Sequence, residues 1–445
     1  MRDEHRKRER LTVFSRIPLA GRSKTRLAAG IGTQQAARFH HEMSLRCLTT
    51  ATRLQHRRDE VGAYLAIADT PQQAKQFFGT QLKTETQSGG DLGERMAACF
   101  DAGRRGGVER HVIIGTDAPA LTPDLLHDAF EALKDNDLVL GPARDGGYYL
   151  IGLAVDPPPI LFNNMPWGSP EVLSLTLSRA SDTGLSLRLL PALDDVDRPD
   201  DLPVWRRRRH RWPPLNSEDG VSVIIPVLNE AEQIAHRVRE LLSEGSEEVI
   251  VVDGGSQDES VREAESAGAR VLSSDPGRGV QMNTGARAAR YPALLFLHAD
   301  TRLGNRWRQE LFSSLSDSRT VGGAFRFQLD GRGWRYRLSE WMVALRCRLL
   351  RRPYGDQGLF CRSETFLRLG GYPEVALMED FLFVKALRRQ GRLRLLKTPA
   401  ISSPRNWERA GFWRVFWTHQ LVLAGYYLGI PLNRLARWRQ RRLRG

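Results

Sequence analysis

Cysteine is scarce in this chain: four residues in 445, at Cys47, Cys99, Cys347 and Cys361, with no CxxC pair. That spacing excludes a zinc-ribbon signature and supplies no disulfide framework, so a reducing cytoplasm is the expected compartment. No apolar core follows the charged N-terminus (Arg2, Arg6, Lys7, Arg8, Arg10), which predicts no secretory leader. Long hydrophobic runs are missing too. The one stretch that raises a membrane question, Val415 to Leu432, is interrupted by Thr418, His419, Gln420 and Pro431, whereas a span needs about 20 mainly apolar residues. With arginines after it, the stretch reads as a helix packed on its own domain or as one lying on the inner face of a membrane.

What is present is ordinary in bulk and unusual in charge. Hydrophobic residues make up 41% and charged residues 27% of the chain, the balance of a globular protein rather than a disordered one. The length allows two or three domains. The net charge is +14, and much of it lies at the N-terminus, in a central run (Arg206 to Arg209, Arg211) and in the tail (Arg434, Arg437, Arg439, Arg441, Arg442, Arg444). Such clusters suit phosphate-bearing substrates or acidic lipid, or are a solvated arginine-rich surface. No nucleic-acid-binding module is recognisable, so nucleic acid is not an expected partner.

The segment Val204 to Gly220 combines a charge run, a Pro-Pro pair and a Ser-Glu-Asp-Gly turn without an apolar period, and reads as a linker. It divides the chain into residues 1–203, a linker over 204–219, and residues 220–445. On both sides short apolar strands alternate with amphipathic helices. The strands are Leu11 to Phe14, Val61 to Ala68, His111 to Gly115 and Leu138 to Leu140 in the first half; Val221 to Ile225, Glu248 to Val252, Ala293 to Leu297 and Ala324 to Gln328 follow in the second. Helices are expected at Gln34 to Leu54, Leu92 to Ala102, Glu230 to Leu242, Glu259 to Ala267 and Asp380 to Gln390. This is α/β grammar: two tandem domains, each a mainly parallel sheet with helices on both faces. Each half sets an aspartate just beyond a strand, Asp117 and Asp300. Ligands of open parallel sheets bind beyond the carboxyl ends of the strands, where a carboxylate holds a hard cation against a diphosphate. Strand-end aspartate is also a common helix cap.

In the second half, VSVIIPVLNE (Val221 to Glu230), VIVVDGGSQD (Val249 to Asp258), LLFLHAD (Leu294 to Asp300) and ALMEDFLF (Ala376 to Phe383) occur in that order. The set resembles the inverting family 2 glycosyltransferases of the GT-A fold, over about Gly220 to Pro404. Within it, Pro226 ends the first strand and Asn229-Glu230 open a helix beside the crevice. Asp253 ends the second strand and can accept from a uracil or ribose donor group, and Gly255 lets backbone approach a nucleotide. Arg278 and Asn283, in a Gly-punctuated loop and the helix it feeds, are candidates to meet the phosphate and the nucleoside. His298-Ala299-Asp300 stands where the family carries its DxD, which makes Asp300 the expected metal ligand, for Mg²⁺ or Mn²⁺. His298 is either a substitute hydrogen-bond partner or a plain strand-end histidine. Glu379-Asp380 resembles the family's ED pair, with Asp380 as general base and Glu379 as its neighbour in orientation or acceptor contact; an acidic helix cap is the plain alternative. The QxxRW motif of processive synthases is absent, Arg405-Asn406-Trp407 standing near its place. More narrowly, GRGVQMNTGA, LHADTRL, PYGDQGLF and GGYPEVALMEDF together resemble the subgroup labelled as arsenosugar-biosynthesis glycosyltransferases.

The first half carries FSRIPLAGRSKTRLAAGIG, GGDLGERM, GTDAPALTPDLL, GPARDGGYYLIGL and DDVDRPDDL over about Leu11 to Leu202. These resemble an uncharacterised GT-A-like group (DUF2064 type) related to glycosyltransferases and nucleotidyltransferases. Lys24 and Arg26 follow a glycine-containing loop, a placement suited to phosphate oxygens. Gly90 and Gly93 shape a turn suited to a base pocket, and Gly146 and Gly147 to the acceptor side. Asp117 and Asp197 would jointly hold Mg²⁺, as the resemblance to nucleotidyltransferases implies. The plain alternative makes Lys24 and Arg26 a surface helix start and Asp197 part of a solvated acidic loop. The whole chain thus reads as a glycosyltransferase that uses a nucleoside-diphosphate sugar and a small-molecule or lipid acceptor, fused to a second domain that makes or uses a related nucleotide sugar.

Overall fold

The computed structural model describes residues 7–80, 82–208, 212–331, 333–350, 353, 355–404 and 411–444. Two compact units divide between residues 211 and 212.

The first unit is built on β1 (Glu9–Ser15), β2 (Val61–Ile67), β3 (Lys83–Thr86), β4 (Arg110–Ile114), β5 (Leu138–Pro142), β6 (Tyr148–Leu153) and β7 (Leu187–Leu189). They form one sheet in the order β3-β2-β1-β4-β6-β5-β7. Pairing is parallel from β3 through β4 and between β5 and β7, and antiparallel on both sides of β6. The second unit has β8 (Val221–Val227), β9 (Glu248–Asp253), β10 (Arg270–Ser273), β11 (Ala293–Phe296), β12 (Thr301–Leu303), β13 (Thr320–Leu329), β14 (Leu359–Arg362) and β15 (Arg392–Ser402). Its order is β10-β9-β8-β11-β14-β13-β15-β12. Strand for strand the directions repeat: parallel through β11, antiparallel on both sides of β14, parallel between β13 and β15. Only β12, antiparallel to β15, is extra. Both units are therefore mostly parallel α/β sheets, as the strand–helix alternation predicts, and β6 and β14 make them mixed.

The central strands are near-continuous Val, Ile and Leu because helices cover both faces. Val221, Val223, Ile225 and Val227 enter one core layer with Val249 and Val251, while Ile224 enters the other with Ile250 and Val252. Period two thus feeds two cores from one strand. Helix starts carry their own signals, as where Asp91 and Glu94 form a capping box at the head of Leu92–Arg105.

The expected linker departs from its reading. Residues Leu202–Arg208 are helical, and Trp205 is buried edge-on against Phe39 at 5.2 Å. Trp212 is buried in the second unit, with the Arg368 guanidinium 4.5 Å from its ring centre. The charge run concealed two tryptophan anchors, one for each unit. Arg209 and Arg211 lie outside the described residues, as does Arg405-Asn406-Trp407. Among the described residues no helix is long and apolar enough to cross a membrane.

Candidate active site

The carboxyl ends of β8, β9 and β11 gather the expected loops of the second unit. Asn229, left-handed at φ 57°, accepts the Gln257 N–H on its side-chain oxygen at 2.8 Å, and its own N–H donates to Ser256 Oγ at 2.9 Å. The N–H of Glu230 donates to Ser260 Oγ at 2.7 Å. Pro226 to Glu230 are thereby braced against the loop after Asp253. Gly255, at φ 98°, faces open space. Asp253 corrects its reading in part: its carboxylate accepts the N–H groups of Gly255 and Ser256 at 3.0 and 3.1 Å, so it builds its own turn first. Asn283 is a fuller correction. It is 1% exposed, and its amide is held by the Tyr372 carbonyl at 2.9 Å and the Tyr372 N–H at 2.8 Å. It fastens the helix Arg278–Ala288 to the loop before the acidic pair, both ends of its amide engaged by Tyr372 backbone.

Glu379 and Asp380 open the helix Glu379–Leu387 behind Met378, which is left-handed at φ 68°, a conformation that costs a non-glycine residue about 1 kcal/mol or more. Asp380 Oδ2 accepts the Gly355 N–H at 2.7 Å, and Oδ1 accepts the Phe381 N–H at 2.7 Å. The carboxylate is aimed rather than free to rotate. His298 sits beside it: a Cβ on Gly355 would lie 3.2 Å from Asp380 Oδ2 and 3.4 Å from His298 Nε2. Arg278, His298, Gly355, Tyr372, Glu379 and Asp380 line one cavity of ≈ 20 Å³, room for about one water. Phe296, Phe366 and Phe383 support it from below, with Tyr372 stacked on Phe383 at 4.2 Å.

The electrostatics divide the roles. Burial, and then the Arg278 guanidinium, push His298 down to about 3, so it is a neutral imidazole throughout the working pH range. Burial and the Asp380 charge raise Glu379 above the usual glutamate value, against the opposing pull of Arg278 and Arg439. Arg439 was read from sequence only as one of the basic tail. It comes from the last helix, Leu432–Arg444, and its charge is felt by the acidic pair from a position tens of residues away. Gln281 was also missed: its side-chain amide donates to the Val227 and Val252 carbonyls at 2.8 and 2.9 Å, tying the Arg278 helix to two strand ends. A larger cavity, ≈ 570 Å³ between the helix Trp334–Leu350 and β15, is lined by no acid or histidine among the described residues.

Asp300 lies two residues beyond His298, its carboxylate accepting the Thr301 hydroxyl at 3.3 Å and interacting with Arg237. No cluster of three or more ligating side chains occurs among the described residues. A single carboxylate at a strand end nonetheless fits magnesium, which keeps its waters and is completed by substrate phosphate oxygens.

The first unit gathers Lys24, Arg26, Asp117 and Asp197 in one place, but around a different cation. The Lys24 ammonium lies 2.9 Å from Asp117 and 3.2 Å from Asp197 and donates to the Val196 carbonyl at 2.7 Å. Arg26 pairs with Asp197 at 3.1 Å. The point between the two aspartates, where Mg²⁺ was expected, is filled by lysine, and the pair does not fit a metal in this arrangement. Burial works against the lysine's charge, yet Asp117 and Asp197 hold its pKa above the ordinary value. The glycines have steric duties: a Cβ at Gly93 would meet the Phe162 carbonyl at 2.4 Å, and one at Gly146 the Pro170 carbonyl at 2.1 Å. At Gly90 it would meet the flexible Glu94 carboxylate at 2.0 Å, and Gly147 has only Asp145 beside it. Gly93 and Gly146 therefore permit close packing, and a pocket role is not their first use.

With this geometry the chain can be set beside known proteins. Residues 222–369 match the model of glycosyl transferase family 2. Residues 51–169 match that of an uncharacterized protein conserved in bacteria, DUF2064. Glycosyltransferase AglJ of Haloferax volcanii is 44% identical over 66 residues, a match that spans 15% of this chain and 22% of that protein's length. Among solved structures, a putative nucleotide-diphospho-sugar transferase from Desulfovibrio desulfuricans is 29% identical, covering 46% of this chain and 88% of that one, at a TM-score of 0.42. Glucosyl-3-phosphoglycerate synthase from Mycobacterium tuberculosis, crystallised with Mn²⁺, uridine diphosphate and glucosyl-3-phosphoglycerate, is 20% identical over 48% of this chain and 81% of its own, at a TM-score of 0.35.

Proposed function

We propose that the second unit transfers a sugar from a nucleoside-diphosphate sugar to an acceptor hydroxyl with inversion. The observation that carries this is the shared cavity of Arg278, His298, Glu379 and Asp380 at the carboxyl end of β11; Arg278 and His298 fall within the stretch that matches family 2, and the acidic pair follows just after it. Asp380, aimed by the Gly355 N–H, takes the acceptor proton. The freed oxygen bonds to the anomeric carbon as the bond to the diphosphate breaks on the opposite face, and the nucleoside diphosphate leaves with the electron pair. Glu379 orients the acceptor hydroxyl. Arg278 and Arg439 face the developing negative charge, and neutral His298 offers a hydrogen bond without adding charge. Asp300 would hold Mg²⁺ or Mn²⁺ together with diphosphate oxygens, an ion that supplies charge neutralisation for the leaving group when bound. Product analysis by NMR of the anomeric configuration tests the stereochemistry: a retained configuration overturns the single-displacement reading.

For the first unit the proposal is that it makes a related nucleotide sugar by nucleotidyl transfer to a sugar phosphate, or uses one, with Lys24 and Arg26 on phosphate oxygens. Pyrophosphate release from nucleoside triphosphates tests the first alternative, and no release from any of them removes it. A second reading makes the acceptor a lipid and the enzyme peripheral to the cytoplasmic face of a membrane. It is favoured by the packing of the helix Phe412–Tyr427 on the acidic-pair helix, where Tyr426 meets Phe381 edge-on at 5.2 Å. The narrower resemblance to the arsenosugar subgroup rests on sequence motifs alone.

A further inference from the structure

The helix Phe412–Tyr427 is apolar on two sides. Val415, Thr418, Val422 and Gly425 are buried, and Met378, Phe381 and Val422 form one apolar cluster. The opposite side carries Trp413, Trp417 and Leu421, which are 43%, 55% and 46% exposed, and Leu428 just beyond, at 80%. Spacing of four residues puts the first three on one stripe. One face of this helix is thus spent on the catalytic unit, while the other leaves large apolar side chains exposed.

A second helix from elsewhere in the chain completes that face. Trp334 and Trp341, on Trp334–Leu350, are 65% and 61% exposed, and Met342 and Leu345 are 37% and 39% exposed. Trp334 lies 6.4 Å from Trp413, and Tyr336 lies 6.1 Å from Phe412, so the two helices present their aromatic rows together. A patch of this kind exceeds the scattered apolar residues normal to a soluble surface. The charge around it has one dominant sign. From Gly411 to Gly445 the chain has seven arginines and no aspartate or glutamate. The Arg335 and Arg442 guanidiniums lie 5.9 and 5.4 Å from the rings of Trp334 and Trp438. Tryptophan at the depth of lipid head groups, flanked by arginine, is the pattern of a helix lying in the plane of an anionic bilayer.

We infer that Trp334–Leu350 and Phe412–Tyr427 form one composite docking face for a bilayer containing anionic lipid, and that neither helix alone is the anchor. The inference extends the lipid-acceptor reading by adding the internal helix, and it stands whether or not the acceptor is a lipid. Because the buried side of Phe412–Tyr427 rests on Met378 and Phe381, docking sets the acidic pair one helix layer from the lipid head groups.

Flotation of the full-length protein with phosphatidylcholine vesicles, with and without phosphatidylglycerol, tests it. The wild type should float with the anionic vesicles and lose binding as salt rises. The double substitution Trp334→Ser, Trp341→Ser, which leaves the C-terminal tail intact, should weaken binding by on the order of tenfold. Trp413→Ser, Trp417→Ser should do the same, with circular dichroism of both variants matching the wild type. Absence of flotation on anionic vesicles overturns the inference, as does unchanged binding by the Trp334, Trp341 variant. A wild-type dimer that these substitutions convert to monomer, without vesicle binding, would assign the face to a second copy instead. Nucleotide release from a sugar donor in vesicle-free buffer is read separately, so failure of docking and failure of the transferase reading are distinguishable.

Discussion

The two units share a sheet order, strand for strand, and differ in what they place at its carboxyl edge. After β4 the first unit sets Asp117, and that carboxylate meets a lysine of its own chain at 2.9 Å. After β11 the second unit sets His298 and Asp300, and the imidazole and the Asp380 carboxylate both border Gly355. One edge is internally neutralised and the other keeps its acids and arginines in a cavity. The sheet decides where a site stands, and the side chains delivered from distant segments decide its chemistry.

Substitutions should separate the units by this difference. The largest effect is expected for Asp380→Asn, which should cost on the order of 10²- to 10⁴-fold in kcat, with Glu379→Gln costing about tenfold. The reverse ranking, measured by nucleoside-diphosphate release, would exchange the two roles. In the first unit, Lys24→Met leaves Asp117 and Asp197 facing each other. It should cost about 2 kcal/mol of stability, the loss for a broken buried pair discounted because the Asp117 side chain is 45% exposed. Denaturant titration measures it, and donor turnover by the second unit should not change. The pH dependence follows from signs. The Lys24 pKa is raised, so its contribution is full below the unfolded lysine value and is lost as pH rises through the folded one. Asp197 is lowered: burial alone would raise it, but Lys24 and Arg26 outweigh that. Its contribution is therefore present above the unfolded aspartate value and is lost in acid as pH falls through the folded one. Lys24→Met should flatten both limbs.

Smaller effects sharpen the second site. Gly355→Ala places a methyl against Asp380 and His298 and should lower kcat about tenfold with little change in melting temperature, since the glycine needs no left-handed backbone. The acid limb of the pH–rate profile should sit above the ordinary glutamate value and shift in Glu379→Gln, because Glu379 is the raised group. His298→Gln should leave that limb in place, its imidazole being already neutral.

Much of the fold was legible because buried parallel strands announce themselves as Val, Ile and Leu runs. The strands that were missed carry weaker signals. β3 and β7 are short, and β15 alternates arginine with leucine. β6 and β14, which make the sheets mixed, hold apolar residues whose direction no local pattern encodes. The acidic pair and the strand-end His298 and Asp300 were readable as motifs. Gly355, Gln281 and Arg439 were not, since each acts on groups brought from a distant segment. Asn283 was misread for the same reason: an asparagine that braces backbone 89 residues away looks, in sequence, like one free to bind a ligand. The lysine between Asp117 and Asp197 is a contact over 173 residues, and composition alone could not distinguish it from a metal.

The central claim, that transfer belongs to the second unit, is tested most directly by nucleoside-diphosphate release from a panel of nucleotide sugars with Mg²⁺ or Mn²⁺, comparing wild type with Asp300→Ala and Asp117→Ala. The account predicts that Asp300→Ala lowers release by on the order of 10²-fold and Asp117→Ala leaves it at the wild-type rate. Release that survives Asp300→Ala and fails in Asp117→Ala would contradict it.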